Sequence, residues 1–413
     1  MERKDLALLC AGTICFWLFV LAFGTAQEHG LRESTVPPAV QTAAVQTERP
    51  PVPEQPELSL NCRAACLMDQ DSGTILYEKN ADQQMPIASI TKVMTLLLTF
   101  EAVHDGRLTL DTPVTASEHA SRMGGSQIWL EPGEQFTLDE MIRAICVSSA
   151  NDAAVAVAEL LGGSEQGFVQ KMNDRAARLG MEHTVFRNAC GLDTEGHLST
   201  ARDVAVMSRT ILTTCPEVLH YTGIWTDALR GGQTQLVNTN KLLRRYNGIT
   251  GLKTGTTSGA GVCISASASR DGLNLIAVVL GAPSSKDRFE AATALLDYGF
   301  GAYRAAPLPA VENRPLLIKV KGSAEQNVPL DYSALPEHIL LRRDAPTELT
   351  VQPELPPELE APVHKGQTVG TVHVTAGEEL LGEYDICAAA DAPEMDFDTA
   401  WGLLWTALIS ETE

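Results

Sequence analysis

Pro86-Ile87-Ala88-Ser89-Ile90-Thr91-Lys92 sets a serine three residues before a lysine, at the mouth of an apolar run: Val93, Met94, Leu96, Leu97, Leu98 and Phe100. The run predicts a buried helix, with Pro86 ahead of it and Gly106 just beyond its far end. Residues three apart share a helix face, so the Ser89 hydroxyl and the Lys92 amine can meet. Burial lowers a lysine pKa, and a neutral amine beside a hydroxyl is a general base beside a nucleophile. Alone, the pattern also describes an N-cap serine and a snorkelling lysine. Two later motifs favour chemistry: Ser149-Ala150-Asn151 and Lys253-Thr254-Gly255.

The three motifs supply the parts of an acyl transfer. Ser89 attacks a carbonyl and Lys92 takes its proton. Ser149 offers a hydroxyl that both donates and accepts, so it can pass a proton to a leaving amine. The amide of Asn151 suits holding Lys92 and a substrate peptide group. Lys253 adds a charge that helps keep Lys92 neutral and attracts an anionic substrate end. Thr254 offers a hydroxyl to the same carboxylate, and Gly255 lets substrate approach the backbone. The Ser89 amide, at a helix N-terminus, is one donor for a tetrahedral oxyanion.

Taken in order, the triplet resembles that of the serine D-alanyl-D-alanine carboxypeptidases, the low-molecular-mass penicillin-binding proteins. Phe186 to Asp193, Gly196 to Ala201 and Leu280-Gly281-Ala282 strengthen the likeness, which covers roughly residues 60 to 303. A weaker likeness to the family's C-terminal β domain runs from Ala361 to Ala389. The resemblance implies an α/β (α+β) fold, an antiparallel sheet flanked by helices as in DD-peptidases and β-lactamases. It also implies a peptidoglycan stem peptide as substrate, β-lactams as inhibitors, and no cofactor or metal. By the family pattern Thr256 carries the second oxyanion donor, and Arg288 reads the free carboxylate by bidentate pairing. Asp193, His197 and Asp203 read as structural, because Ser89 already has a base three residues away. The chain departs from the usual family text at Cys190, at Thr256 and in its acidic tail.

Composition agrees with a globular exported enzyme. Hydrophobic residues make up 44% of the 413, and the net charge of −21 argues against a nucleic-acid partner. Arg3 and Lys4 precede an apolar stretch from Leu6 to Phe23 and a small-x-small site at Gly24-Thr25-Ala26, which reads as an export signal or a retained anchor. Nine cysteines occur; Cys10 and Cys15 lie in that segment, and the remaining seven are scattered, which fits neither a disulfide framework nor zinc-ligand spacing.

Along the chain we expect a signal over 1–26, a Pro/Thr/Gln-rich spacer over 27–57 and a catalytic domain over 58–303. A β-rich domain over 304–390 and an amphipathic segment over 391–413 follow. Capping boxes open helices at Thr137 and at Thr200. A turn at 363–367 carries His364 without a visible partner. Trp401, Leu404, Trp405, Leu408 and Ile409 form a helical stripe, read as a peripheral membrane contact or as a helix packed on the β domain; the lack of basic residues weakens the first.

Other functions are weighed on the same residues. A β-lactamase needs a deacylating carboxylate in a Glu-x-x-Leu-Asn loop, and Glu182-His183-Thr184-Val185-Phe186 lacks the Leu-Asn. Endopeptidase cleavage of cross-links stays open. A catalytically silent wall-binding scaffold is disfavoured by three intact motifs.

Overall fold

The computed structural model describes residues 55–311 and 314–410, without the side chains of Leu404 and residues 406–410. The expected signal, nearly all of the spacer, and the side chains of Leu404, Leu408 and Ile409 lie outside the described residues.

Five antiparallel strands form the central sheet, in the spatial order Ile75–Lys79, Ala64–Asp69, Leu273–Ala282, Gly261–Arg270, Ile249–Thr257. Alternation along each strand splits the core in two. Ala64, Cys66 and Met68 face helices Lys92–His104, Asn151–Gly162 and Ala201–Thr214, whereas Ala65 and Leu67 face helix Ser285–Ala302. Covering both faces explains why 275–280 is apolar throughout. The strand carrying Lys253, Ile249–Thr257, lies at the sheet edge.

The opening stretch divides into a single 3-10 turn, Ala88–Thr91, and the helix Lys92–His104. Its apolar run is buried nearly all round, as expected. The capping box at Thr137 forms, with Thr137 Oγ1 accepting from the Glu140 amide and the Glu140 carboxylate returning to the Thr137 amide. At Thr200 only half of it forms. Thr200 accepts from the Asp203 amide, but the Asp203 carboxylate turns to the His183 amide and the Thr184 hydroxyl instead. Two donors from a neighbouring segment outcompete one from its own helix end.

After Tyr303–Pro307, which pairs with His338–Arg342, a six-stranded sheet forms the C-terminal domain. Its strands Leu317–Lys321 and Asn327–Asp331 alternate buried and exposed residues, and Ile318, Val320, Val328 and Leu330 build its core. Asn327–Asp331 escapes sequence reading because Pro329 sits in its middle. His364 does have a neighbour, with its Nδ1 4.0 Å from the Asp391 carboxylate. Helix Phe397–Ser410 exposes Phe397, Trp401, Leu403 and Trp405 rather than packing them on the β domain. No helix among the described residues is long and apolar enough to cross a membrane. The seven described cysteines are all free thiols, five of them buried.

Candidate active site

Three segments converge on Lys92, which is wholly buried. Its Nζ lies 2.8 Å from Ser89 Oγ, 2.6 Å from Asn151 Oδ1 and 2.7 Å from the Cys190 carbonyl oxygen. An ammonium donates to all three. A neutral amine has only two N–H groups, and Asn151 and Cys190 can accept only N–H donors. The lone pair of the neutral amine is therefore left facing Ser89, whose O–H then donates to it. Burial pulls Lys92 down to about 8, opposed by the Cys190 and Asp152 side chains. That value suits a base working near neutrality.

The Ser89 backbone is prepared as well as its side chain. Ala88, just before it, holds φ +49, a region non-glycine residues avoid. A Cβ on Gly191 would meet the Ala88 carbonyl at 1.9 Å and the Ser89 nitrogen at 2.9 Å, and Gly191 itself holds φ +86. A Cβ on Gly255 would likewise come within 2.9 Å of the Ser89 nitrogen. Glycines on both sides thus bring two chains against the Ser89 turn. They also put the edge strand beside it.

Ser149 ends a π turn, Ala144–Ser148, and adopts φ +63. It is nearly buried, and among the described residues its hydroxyl makes no hydrogen bond. Asn151, at the start of the next helix, is gripped from a loop. Its amide N–H donates to the Ser126 carbonyl at 2.7 Å and its Nδ2 donates to the Gly124 carbonyl at 2.6 Å. These carbonyls orient the side chain that faces Lys92. Sequence reading missed Gly124, Ser126 and Cys190, which act through main-chain carbonyls and leave no side-chain signal.

Lys253 is also buried, and its Nζ donates to the Thr254 carbonyl at 3.1 Å. Burial acts on both lysines. Lys92 is lowered first by burial, and Lys253 is the amine driven well below its ordinary range, by burial and then by Lys92. Thr254 Oγ1 lies 2.6 Å from Thr239 Oγ1, a neighbour the sequence did not reveal. Thr256 is exposed at the strand end, with its hydroxyl donating to the Gly255 carbonyl at 2.8 Å.

Arg288 is not a surface arginine, since only 6% of it is exposed. Its Nη1 donates to the Cys263 carbonyl at 3.1 Å and to the Gly255 carbonyl at 3.3 Å, and its Nε is buried with no hydrogen-bond partner among the described residues. Burial lowers the guanidinium to about 10, so it stays cationic at neutral pH. Asp193 clamps the turn after the edge strand, accepting from Thr257 Oγ1, Ser258 Oγ and the Gly259 amide.

His197 belongs to the scaffold. Its Nδ1 accepts from the Arg187 amide at 3.1 Å, which leaves Nε2–H to donate to Thr91 Oγ1 at 2.8 Å. Burial and the Arg187 charge lower its pKa from 6.5 to about 4. Between these values the unfolded chain binds the proton that the folded chain refuses. Stability is therefore complete above pH 6.5 and is lost as pH falls toward 4, by about 3 kcal/mol in all. His197→Asn keeps an acceptor for Arg187 and cannot titrate. Unfolding midpoints of wild type and variant should differ most at pH 7 and converge toward pH 4.

The D-alanyl-D-alanine carboxypeptidase family model matches residues 48–284, more than half of the chain. The chain belongs to this family. Residues 313–394 match the model of the penicillin-binding protein 5 C-terminal domain. The chain is 39% identical over 347 residues to the D-alanyl-D-alanine carboxypeptidase DacF of Bacillus subtilis, covering 83% of this chain and 89% of that protein. It is 31% identical to DacC of Escherichia coli, covering 84% and 87%. Its fold is similar to penicillin-binding protein 5 of Haemophilus influenzae, with TM-score 0.72, 28% identity, and 83% and 100% of the two chains covered. It also resembles the cefotaxime-bound penicillin-binding protein D2 of Listeria monocytogenes, with TM-score 0.56, 36% identity, and 60% and 100% covered.

Proposed function

We propose that this chain removes the terminal D-alanine from peptidoglycan stem peptides through an acyl-enzyme on Ser89. The observation that carries this reading is the Lys92 amine, held by Asn151 and Cys190 with one direction left for Ser89. Ser89 Oγ attacks the carbonyl of the penultimate D-alanine and its proton passes to Lys92. The oxyanion is met by the amides of Ser89 and Thr256. Collapse breaks the peptide bond, and the leaving amine takes a proton from Lys92 by way of the Ser149 hydroxyl. Water then hydrolyses the ester, with Lys92 again as base, and Ser89 is regenerated.

Asn151, Lys253, Thr254 and Gly255 contact substrate in this reading, and Arg288 supports them through its charge rather than by bidentate pairing with the carboxylate. A substrate carboxylate beside Lys253 and Thr254 favours the charged amine that burial disfavours. Arg288 braces the edge strand through the Gly255 carbonyl and adds positive charge behind it. A β-lactam acylates Ser89 by the same route. Among the described residues no carboxylate hydrogen-bonds to Ser89 or Lys92, which supports a long-lived drug ester over a β-lactamase. Stoichiometric labelling by a fluorescent penicillin tests the reading: stable labelling supports it, and rapid release of hydrolysed drug favours a β-lactamase.

The activity sits outside the cytoplasm in this account. Residues 1–26 export the chain, 27–57 space it from the membrane, 58–303 carry the chemistry and 304–390 form the β domain. The segment 391–413 rests on the membrane surface through Trp401, Leu404, Trp405 and Leu408. Support comes from helix Phe397–Ser410, where Phe397 and Trp401 stack and Trp405 follows one turn on, all exposed. Sedimentation with lipid vesicles should bring down the full chain and leave Trp401→Ser/Trp405→Ser in solution.

A further inference from the structure

Trp129 is placed where a tryptophan weakens the fold. Its φ is +53, a left-handed conformation that costs a residue with a Cβ about 1–2 kcal/mol. Little of its side chain is buried to offset this: the residue is 74% exposed, and among the described residues its indole makes no ring contact or hydrogen bond. Glycine would hold this backbone without strain. A residue that the fold disfavours on both counts points to use.

The surroundings hold that conformation in place. The buried Asp152 carboxylate accepts from the amides on either side, Ile128 at 3.1 Å and Leu130 at 3.1 Å. Arg230 donates to the Ile128 carbonyl at 2.8 Å and to the Trp129 carbonyl at 3.2 Å, and is itself paired with Glu134 at 2.7 Å. Asp152 directly follows Asn151, which holds the same loop through Gly124 and Ser126. The indole is thus presented on a braced loop attached to the Lys92 cluster.

We propose that Trp129 is a stacking platform for the amino sugar of the glycan strand that carries the stem peptide. Trp129 is three residues along from Ser126, whose carbonyl accepts from the Asn151 amide, so the two Cα atoms lie within about 11 Å of each other. Four stem residues lie between the scissile bond and the sugar, and extended they span up to about 14 Å. Both lengths are upper limits, and together they allow the indole to meet the sugar. The peptide has Asn151 and the edge-strand backbone for its hydrogen bonds. An indole face without polar partners suits the C–H face of a pyranose. The platform rests on the carboxypeptidase reading and deepens it by naming a polymer-proximal substrate.

The test compares D-alanine release from a disaccharide-pentapeptide and from the same pentapeptide without sugar. In Trp129→Gly the ratio of kcat/KM for the two substrates should fall about five- to tenfold, through KM on the sugar-bearing one. Trp129→Phe should keep most of the ratio. The unfolding midpoint of Trp129→Gly should equal or exceed that of wild type. An equal loss on both substrates would show a peptide contact and overturn the proposal. So would an unchanged ratio, or a lowered midpoint with lost activity on both. If wild type releases no D-alanine from either substrate, the carboxypeptidase reading fails instead. Equilibrium binding of the disaccharide-pentapeptide to Ser89→Ala protein, with and without Trp129→Gly, then still decides the platform.

Discussion

Ser89→Ala lowers D-alanine release by roughly 10⁴-fold or more and abolishes covalent labelling by penicillin. The Ser89 hydroxyl is the only one hydrogen-bonded to the buried Lys92 amine among the described residues, so no second nucleophile takes its place. Among the described residues the Ser149 hydroxyl makes no hydrogen bond to Lys92, and Thr91 is turned to His197. The fold survives, because Ser89 is only half-buried and the turn is held by Gly191, Gly255 and Thr91 rather than by the hydroxyl. Residual turnover would come from the oxyanion amides and binding groups alone. Stopped-flow acylation and amino-acid release on the same preparation check both halves.

Lys92→Met lowers acylation by about 10³-fold, within the range that positioned acid–base groups contribute. The pH profile separates this from a mere packing defect. In the proposed mechanism the base is the neutral amine, so the wild-type acylation rate should climb about tenfold per pH unit below about 8 and level off above it. In Lys92→Met that slope disappears. Stability moves little, because two effects oppose. Methionine removes a buried ionisable group, which favours the fold. It also strands Asn151 Oδ1 and the Cys190 carbonyl, at about 1–3 kcal/mol each. A flat low rate from pH 6 to 10 with a near-native unfolding midpoint is the expected result. A retained slope would place the base elsewhere.

Sequence reading reached what side-chain type and spacing encode. Ser89 and Lys92 meet because three residues make one helical turn, and the central strands and the helices around them follow from short apolar runs bounded by turn residues and from period-3.6 patterns. It did not reach what the main chain does after folding. The Cys190 carbonyl on Lys92, the Gly124 and Ser126 carbonyls on Asn151, and the left-handed φ of Ala88 and Trp129 come from tertiary contacts between distant segments. Asp203 shows the same limit, since Thr200-x-x-Asp203 has the spacing of a capping box while its carboxylate serves Thr184 and His183.

The most direct test is release of free D-alanine from a stem pentapeptide ending in D-Ala-D-Ala, followed alongside the mass of the intact protein. One D-alanine released per peptide cleaved, with an acyl adduct of the remaining tetrapeptide trapped on Ser89 by acid quench, is the predicted result. Release of D-alanine without any adduct on Ser89, or a folded protein that leaves the pentapeptide intact, would contradict it.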